Sequence, residues 1–285
     1  ADLRDPGGGF HTALSALDKQ GREGGGYLWT ADELRQRLTE AEYALVRRIW
    51  RLDQPPPFDL GYLPMEKTAP TREERISLKN ILLKLRASGR KQQVPADTKI
   101  NAGLNGLALS ALSEAGRGEP RFERAAGQLR TYLARQLVQH GQLLKTRAGT
   151  RVFADAELED YAYSAAGLAD YARLFGDRAA SNLARDLARQ AWQRFFSDSG
   201  WRREAHPLLA TLLPEPALTD GALPSASARL MAVTQSMFNP GSKSDLKPLL
   251  RRASAMLLPA MRKAPFEHAS GLAMLRNHDR NGNRH

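Results

Sequence analysis

The sequence has no cysteine, few aromatic residues and no long apolar run, and each absence excludes something. None of its 285 residues is Cys, which rules out a disulfide framework, a thiolate metal ligand and thiol redox chemistry by this chain. No run of about 18 apolar residues occurs, so no transmembrane helix is predicted. Aromatic residues make up only 7%, too few for the interleaved stacking side chains of a nucleic-acid-binding face.

What is present indicates a folded chain with a basic surface. Apolar residues make up 42% of the sequence, enough for one large hydrophobic core or two small ones, which excludes disorder. Lys and Arg outnumber Asp and Glu by 42 to 31, and the net charge of +11 is concentrated in residues 236–285 and around Lys84, Arg86, Arg90 and Lys91. Because so few aromatic residues accompany it, this charge favours a solvated basic face, or contact with an acidic protein or an anionic membrane surface, over nucleic acid.

The second half of the chain repeats one design, in which two amphipathic helices are joined by a short turn that contains glycine. Apolar residues recur at spacings of three and four, as in Leu168, Tyr171, Ala172 and Phe175. The three predicted αα-hairpins pair Lys99–Ala115 with Pro120–His140, Ala156–Phe175 with Arg178–Phe196, and Ser225–Phe238 with Asp245–Arg262, where Asp245 is the predicted helix cap. The segments between them, Gln142–Phe153 and Gly200–Leu213, lack a helical period and are predicted to be short β-ribbons. Such repeats are typical of a toroid or solenoid of helical hairpins.

The first third of the chain is different. Two glycine clusters, at 7–9 and 24–26, flank an irregular stretch that predicts two short strands and a flexible loop. A helix is predicted over Ala31–Arg51, begun by the capping box of Thr30 and Glu33, and a basic helix over Arg72–Arg90. We therefore divide a single predicted domain into 1–95 with glycine-rich loops and first helices, 96–275 with the hairpins, and a polar tail at 276–285.

A series of short motifs occurs in one order along the chain. It comprises Gly7-Gly8-Gly9-Phe10, Thr12-Ala13-Leu14, Glu23-Gly24, Tyr27-Leu28-Trp29-Thr30, Asn105-Gly106-Leu107, Glu159-Asp160-Tyr161-Ala162-Tyr163 and Asp220-Gly221-Ala222-Leu223-Pro224-Ser225. From about residue 5 to about 275, this series resembles the helical-barrel part of the long thioredoxin-domain proteins, which include bacterial members and an animal spermatogenesis-associated member.

The resemblance implies a fold and an assembly. In that family a thioredoxin-like domain precedes an (α/α)6 barrel similar to N-acylglucosamine 2-epimerases and six-hairpin glycosidases. The thioredoxin-like domain and about four barrel helices are expected to be absent here. We expect the resulting gap to be covered by another chain, by a second copy, or by a cleaved N-terminal part, because so much apolar surface is rarely left in water. The localisation stays open between the bacterial cytoplasm and the periplasm, with the periplasm slightly favoured, and the sequence begins at Ala1 without an initiator Met.

Two sets of polar residues fall where the inner helices of such a barrel would begin. Asp97, Asn101 and Asn105 share one helical face, and Glu159 shares a face with Tyr163 while Asp160 lies about 100° round the helix. Paired carboxylates are what glycosyl transfer needs, so Asp97, Glu159 and Asp160 are candidate catalytic residues. The alternative is structural, since Asp caps helices and acidic first turns stabilise the helix dipole.

Further candidates come from the loops. Asp220 precedes the third inner helix and is a fourth candidate catalytic carboxylate, with Ser225 beside it as a ligand contact, although both also suit a plain turn and cap. Trp29 and His11, next to the glycine clusters, are candidate ligand contacts with Asn101, Asn105 and Tyr163, and Trp29 suits a core edge equally well.

Other residues make an efficient enzyme less well supported. None of the six His lies on an inner-helix face, so the two-base mechanism of the similar epimerases finds no residues, and no metal site or cofactor is predicted. The sequence departs from the family pattern at Ala96, where the family has a paired Asp, at Leu104, where it has Trp, at Ser15, where it has a carboxylate, and near Ser227, where it has Asn.

The predicted fold is all-α with short β-ribbons, an incomplete α/α toroid built from helical hairpins. The predicted function is a carbohydrate-active-like domain, degenerate or ligand-binding, with a saccharide-like small molecule as its ligand. Whether the chain is an enzyme stays open. The alternative is a structural or assembly subunit that docks onto a protein partner at its open face.

Overall fold

A computed structural model describes residues 3–88, 94–206, 213–237 and 246–282, of which 277–282 are described by backbone alone. The chain divides into two compact units. We call Ala13–Asp97 the N-terminal unit, and Ala1–Thr12 together with Thr98–His285 the hairpin unit. No helix in the described ranges is both long and apolar enough to span a bilayer.

Outside residues 89–93, the N-terminal unit has the helices α1 (Ala31–Arg37), α2 (Glu40–Trp50) and α3 (Arg72–Ala87), and a ribbon in which β1 (Ala13–Leu14) pairs antiparallel with β2 (Ala96–Asp97). Each helix begins with a capping box, formed by Thr30 and Glu33, Thr39 and Glu42, and Thr71 and Glu74. The first box confirms the predicted helix start. The second box, formed by Thr39 and Glu42, starts a new helix, so the single helix predicted over 31–51 is two helices.

The core of the N-terminal unit is built from one apolar face of each helix. Leu34 of α1, Val46, Ile49 and Trp50 of α2, and Leu78, Ile81 and Leu85 of α3 are buried together. The spacing of three and four residues along α3 puts its three core residues on one side, so that its opposite side faces away from this core.

The described residues of the hairpin unit form the three αα-hairpins that the periodicity predicts and one further helix. The hairpins pair α4 (Ala102–Gly116) with α5 (Pro120–Tyr132), α6 (Leu158–Phe175) with α7 (Arg178–Phe195), and α8 (Ala226–Met237) with α9 (Leu246–Lys263), and α10 (Ala269–Gly282) follows. Helix α6 packs between α4 and α8, and α10 packs against α8, so these four form an inner row. Helices α5, α7 and α9 form the outer row, which is the layering of an α/α toroid. The fold class expected from the sequence is confirmed.

Short ribbons join the hairpins where the helical period fails. They are β4 (Val138–Gln139) with β5 (Gln142–Leu143), the sheet of β3 (Ile100–Asn101), β6 (Thr146–Ala148) and β7 (Arg151–Phe153), and β8 (Phe196–Ser197) with β9 (Gly200–Trp201). The predicted helix bounds differ most from the observed ones at the start of α4 and at the end of α5. Residues 99–101 are extended because Asn101 caps α4, and α5 ends at Tyr132, followed by a π-helical turn over Leu133–Leu137 and then β4. Asp245, Arg90 and Lys91 lie outside the described residues.

Helices α4 and α6 approach so closely that only glycine fits between them. A Cβ on Gly106 would lie 2.4 Å from the Tyr163 carbonyl carbon, and one on Gly167 would lie 2.3 Å from the Gly106 carbonyl oxygen. Both obstacles are backbone atoms, which no rotamer change can move away. The Asn-Gly step of the sequence motif thus marks a helix crossing.

We expect Gly106→Ala to lower the free energy of unfolding by about 1–3 kcal/mol, because the added methyl group forces the two backbones apart. Chemical denaturation followed by circular dichroism measures it. Gly118→Ala is the matched control, since a Cβ there meets no atom within 4 Å. Equal stability of the two variants would contradict the close crossing.

Candidate functional site

Asp160 is a buried carboxylate that joins the starts of two inner helices. One oxygen, Oδ1, accepts hydrogen bonds from Asn101 Nδ2 and from the Gly103 backbone N–H, both at 3.1 Å. The other, Oδ2, accepts the Glu157 backbone N–H at 3.0 Å at the start of α6. Burial raises the pKa of Asp160 to about 6, while the three hydrogen bonds act in the opposite direction. The side chain holds the α4 terminus against α6.

The two asparagines have equally definite partners. Asn101 caps α4 by accepting the Leu104 N–H at 2.8 Å, and its amide also donates to the Lys145 carbonyl. Asn105 is buried and holds the Phe10 backbone from both sides, accepting its N–H at 2.8 Å and donating to its carbonyl at 3.0 Å. Asn105 therefore fastens the first glycine cluster onto α4.

The remaining inner-helix candidates are also engaged. Glu159 pairs with Arg203 at 2.8 Å, and the Tyr163 hydroxyl donates to the Pro224 carbonyl. Burial raises the pKa of Tyr163 to about 12, so this hydroxyl stays protonated.

Asp220 and Ser225 lie together at the start of α8. Asp220 accepts the Ser225 N–H at 2.7 Å and the Ser270 N–H at 2.9 Å, and Ser225 Oγ accepts the Ala228 N–H at 3.2 Å. Burial raises the pKa of Asp220, but the hydrogen bonds from Ser270 and Ser225 outweigh it and leave the pKa below its ordinary value. These bonds fasten the start of α10 to the turn before α8.

Asp97 and Trp29 belong to the N-terminal unit. Asp97 lies in β2, opposite Ala13 of β1. Trp29 is buried in the core of that unit, where its backbone pairs with Tyr62 and the Arg37 guanidinium lies 5.5 Å from its ring centroid. The structure thus brings Asn101 and Asp160 into contact, and Asp220 and Ser225 into contact, as separate clusters.

A polar cavity of about 590 Å³ lies in the hairpin unit beside the first glycine cluster. Its lining includes Asp5, His11, Tyr132, Gln136 and Arg147, from the N-terminal segment, the end of α5 and β6. Of these, the sequence pointed only to His11. The others lie far apart along the chain and meet only because the glycine segment packs against α5, which no spacing along the sequence reveals.

Tyr132 forms the wall against which the glycine segment packs. A Cβ on Gly9 would lie 2.9 Å from Tyr132 Cε1, and one on Gly7 would lie 3.3 Å from Cε2, so the bare backbone covers the ring. The Asp5 carboxylate accepts the Gly7 N–H at 2.7 Å and so shapes the segment. Burial, and then the nearby Asp5 charge, raises the pKa of Tyr132, which keeps its hydroxyl a hydrogen-bond donor at neutral pH.

His11 has a defined tautomer when neutral. Its Nδ1 lies 3.2 Å from the Thr98 carbonyl oxygen, which can only accept, so Nδ1 carries the proton and Nε2 is an acceptor. Arg147, on β6 opposite Ile100, supplies a guanidinium. The cavity thus combines donors from Arg147 and Tyr132 with acceptors from Asp5 and His11, while the glycine segment covers the Tyr132 ring. Within the described ranges, no three His, Asp or Glu side chains are arranged to hold a metal ion.

Comparison with known proteins finds partial structural likeness only. No protein-family model and no curated protein matches the chain. The cellobiose 2-epimerase of Spirochaeta thermophila is 18% identical, with a TM-score of 0.44, over 58% of this chain and 43% of that one. The unsaturated glucuronyl hydrolase of Bacillus sp. GL1 is 16% identical, with a TM-score of 0.45, over 79% of this chain and 55% of that one. The cellobiose 2-epimerase of Bacillus thermoamylovorans is 10% identical, with a TM-score of 0.46, over 90% of this chain and 67% of that one. The chain spans about half the length of the first of these solved structures.

We expect Asp160 to make stability depend on pH. Because folding raises its pKa from 3.8 to about 6, the folded state holds this proton more tightly, and the contribution is complete below pH 4 and lost as pH rises through 6. The free energy of unfolding lost in this way amounts to about 3 kcal/mol. Urea unfolding between pH 4 and 7 should show the wild type losing stability relative to Asp160→Asn. Asp155→Asn, at an exposed position just before α6, is the control and should follow the wild type. Parallel curves for wild type and Asp160→Asn would contradict the assignment.

Proposed function

We propose that this chain is a carbohydrate-active-like α/α domain that binds a small saccharide-like ligand and does not turn it over efficiently. The observation that carries the proposal is the cavity of the hairpin unit, whose lining brings hydrogen-bond donors of Arg147 and Tyr132 together with acceptors of Asp5 and His11. Hydroxyl-rich ligands need such mixed partners, because each hydroxyl both donates and accepts. The ligand class we favour is a saccharide that carries a carboxylate, since Arg147 offers a fork of N–H donors that matches it.

The proposal of a degenerate site is supported by what the candidate catalytic carboxylates do. Glycoside hydrolysis needs two carboxyl groups that flank the scissile bond, one protonated and one ionised. Here Glu159 is paired with Arg203, and Asp160 and Asp220 accept backbone N–H groups at helix starts. Each carboxylate already has a structural partner, which supports binding without efficient catalysis.

We also propose that the chain derives from the helical-barrel part of the long thioredoxin-domain proteins. The ordered motif series supports this origin, and two of its motifs have specific structural duties. Asn105-Gly106 fastens the glycine segment and permits the α4–α6 crossing, and the motif from Asp220 to Ser225 builds the start of α8. Departures at Ala96 and Leu104 fit a domain whose original site has been lost.

Calorimetric titration with glucuronate, galacturonate and glucose tests the ligand proposal. We expect the two acids to bind and Arg147→Met to weaken their binding by about 10- to 100-fold, the value of a charge-assisted hydrogen bond. Arg151→Met, at an exposed position on β7 of the same sheet, is the matched control and should leave the affinity unchanged. Absence of binding at millimolar sugar, or equal losses in the two variants, would contradict the proposal.

A second candidate function is that of an assembly subunit, which docks onto a protein partner or a second copy of the chain. The observation that favours it is an exposed face of α3 that is both basic and apolar. Light scattering of the purified chain distinguishes a self-associating protein from one that needs a different partner.

A further inference from the structure

Helix α3 carries an exposed apolar surface on the side away from its core. Leu78, Ile81 and Leu85 are buried in the N-terminal unit, whereas Ile76 is 64%, Leu82 47% and Leu83 56% exposed. Amphipathic surface helices ordinarily turn a polar face to water, so three large exposed apolar residues on one helix indicate an interaction surface.

The charges that α3 itself places on this surface all have one sign. At about 100° per residue, Leu82, Lys79, Leu83 and Ile76 fall within one arc of about 120°, and the same arc holds Arg72, Arg75 and Arg86. No carboxylate of α3 lies in it, since Glu73 and Glu74 project to other sides. A surface with four cations and three apolar residues complements a partner that is apolar and acidic.

The surface includes a groove and is not uniformly convex. A cavity of about 300 Å³ is lined by Leu78, Leu82 and Leu83 with Arg75, Lys79 and Arg86, and Glu66 stands at its edge. Glu66 Oε1 lies 3.3 Å from Arg75 Nη1, so these two side chains form an ion pair. Among the described residues, no carboxylate lies within ion-pair distance of Lys79, which leaves its charge available to a partner.

We propose that this groove docks an acidic amphipathic helix of a partner protein. Apolar side chains of that helix enter beside Leu82 and Leu83, and its carboxylates meet Lys79 and Arg72. The proposal rests on the docking function above and names its surface and partner. A peptide fits better than a bilayer, because a bilayer has no side chain to fill a groove.

The test is fluorescence anisotropy of the full chain with a labelled synthetic helix of about 18 residues, with leucine at spacings of three and four and glutamate on both flanks. We expect binding at micromolar concentrations that weakens with added salt, and no binding of the same peptide with lysine in place of glutamate. Lys79→Glu and Leu83→Ser should each weaken binding about tenfold or more.

Matched controls exist for both variants. Lys19→Glu changes an exposed lysine elsewhere in the N-terminal unit, and Leu258→Ser changes a 43% exposed leucine of α9, so neither should alter the affinity. All four positions are exposed, and circular dichroism confirms that each variant folds. The proposal is overturned if the acidic peptide does not bind, if Lys79→Glu binds it as well as wild type does, or if phosphatidylglycerol vesicles bind and the peptide does not. If the chain self-associates and the Lys79→Glu variant still does so, the docking function stands but the α3 surface is not the one used.

Discussion

The contact between α4 and α6 is the constraint on which the rest of the hairpin unit depends. The two backbones meet at Gly106 and Gly167 without room for a Cβ, and Asp160 ties their starting turns together through three N–H donors. Such a contact fixes the spacing of the inner row, against which the outer helices and the glycine segment pack. It also leaves little freedom at the inner-helix ends, where an active site would need side chains directed at a ligand.

The polar residues at these ends illustrate how structural and catalytic patterns overlap in sequence. A carboxylate in a first helical turn suits both glycosyl transfer and the stabilisation of backbone N–H groups. Here Asp160 joins two helices, Asp220 fastens α10 to the turn before α8, and Glu159 forms an ion pair. The groups that face the polar cavity are different ones, and they come from segments that are distant in the chain.

Much of the fold could be predicted from the sequence, because helical periodicity and helix caps are local signals. The three hairpins, the ribbon after the first of them and the Thr30 capping box follow from spacing alone. Predicted helix bounds were wrong where a second local signal competed. Thr39 starts a new helix inside the predicted one, and Asn101 caps α4 two residues after its predicted start. The cavity could not be predicted, since Tyr132 and Arg147 join Asp5 only through tertiary packing, although the glycines that cover Tyr132 were visible as a cluster.

The central claim is that the inner-helix carboxylates support the fold and that the ligand binds elsewhere. It is tested most directly by titrating glucuronate into the double variant Glu159→Gln, Asp160→Asn and measuring its unfolding in the same buffer. The account predicts an unchanged affinity for the sugar acid together with an altered free energy of unfolding, because both side chains hold structural partners. Loss of sugar binding with unchanged stability would contradict it and return these carboxylates to a functional site.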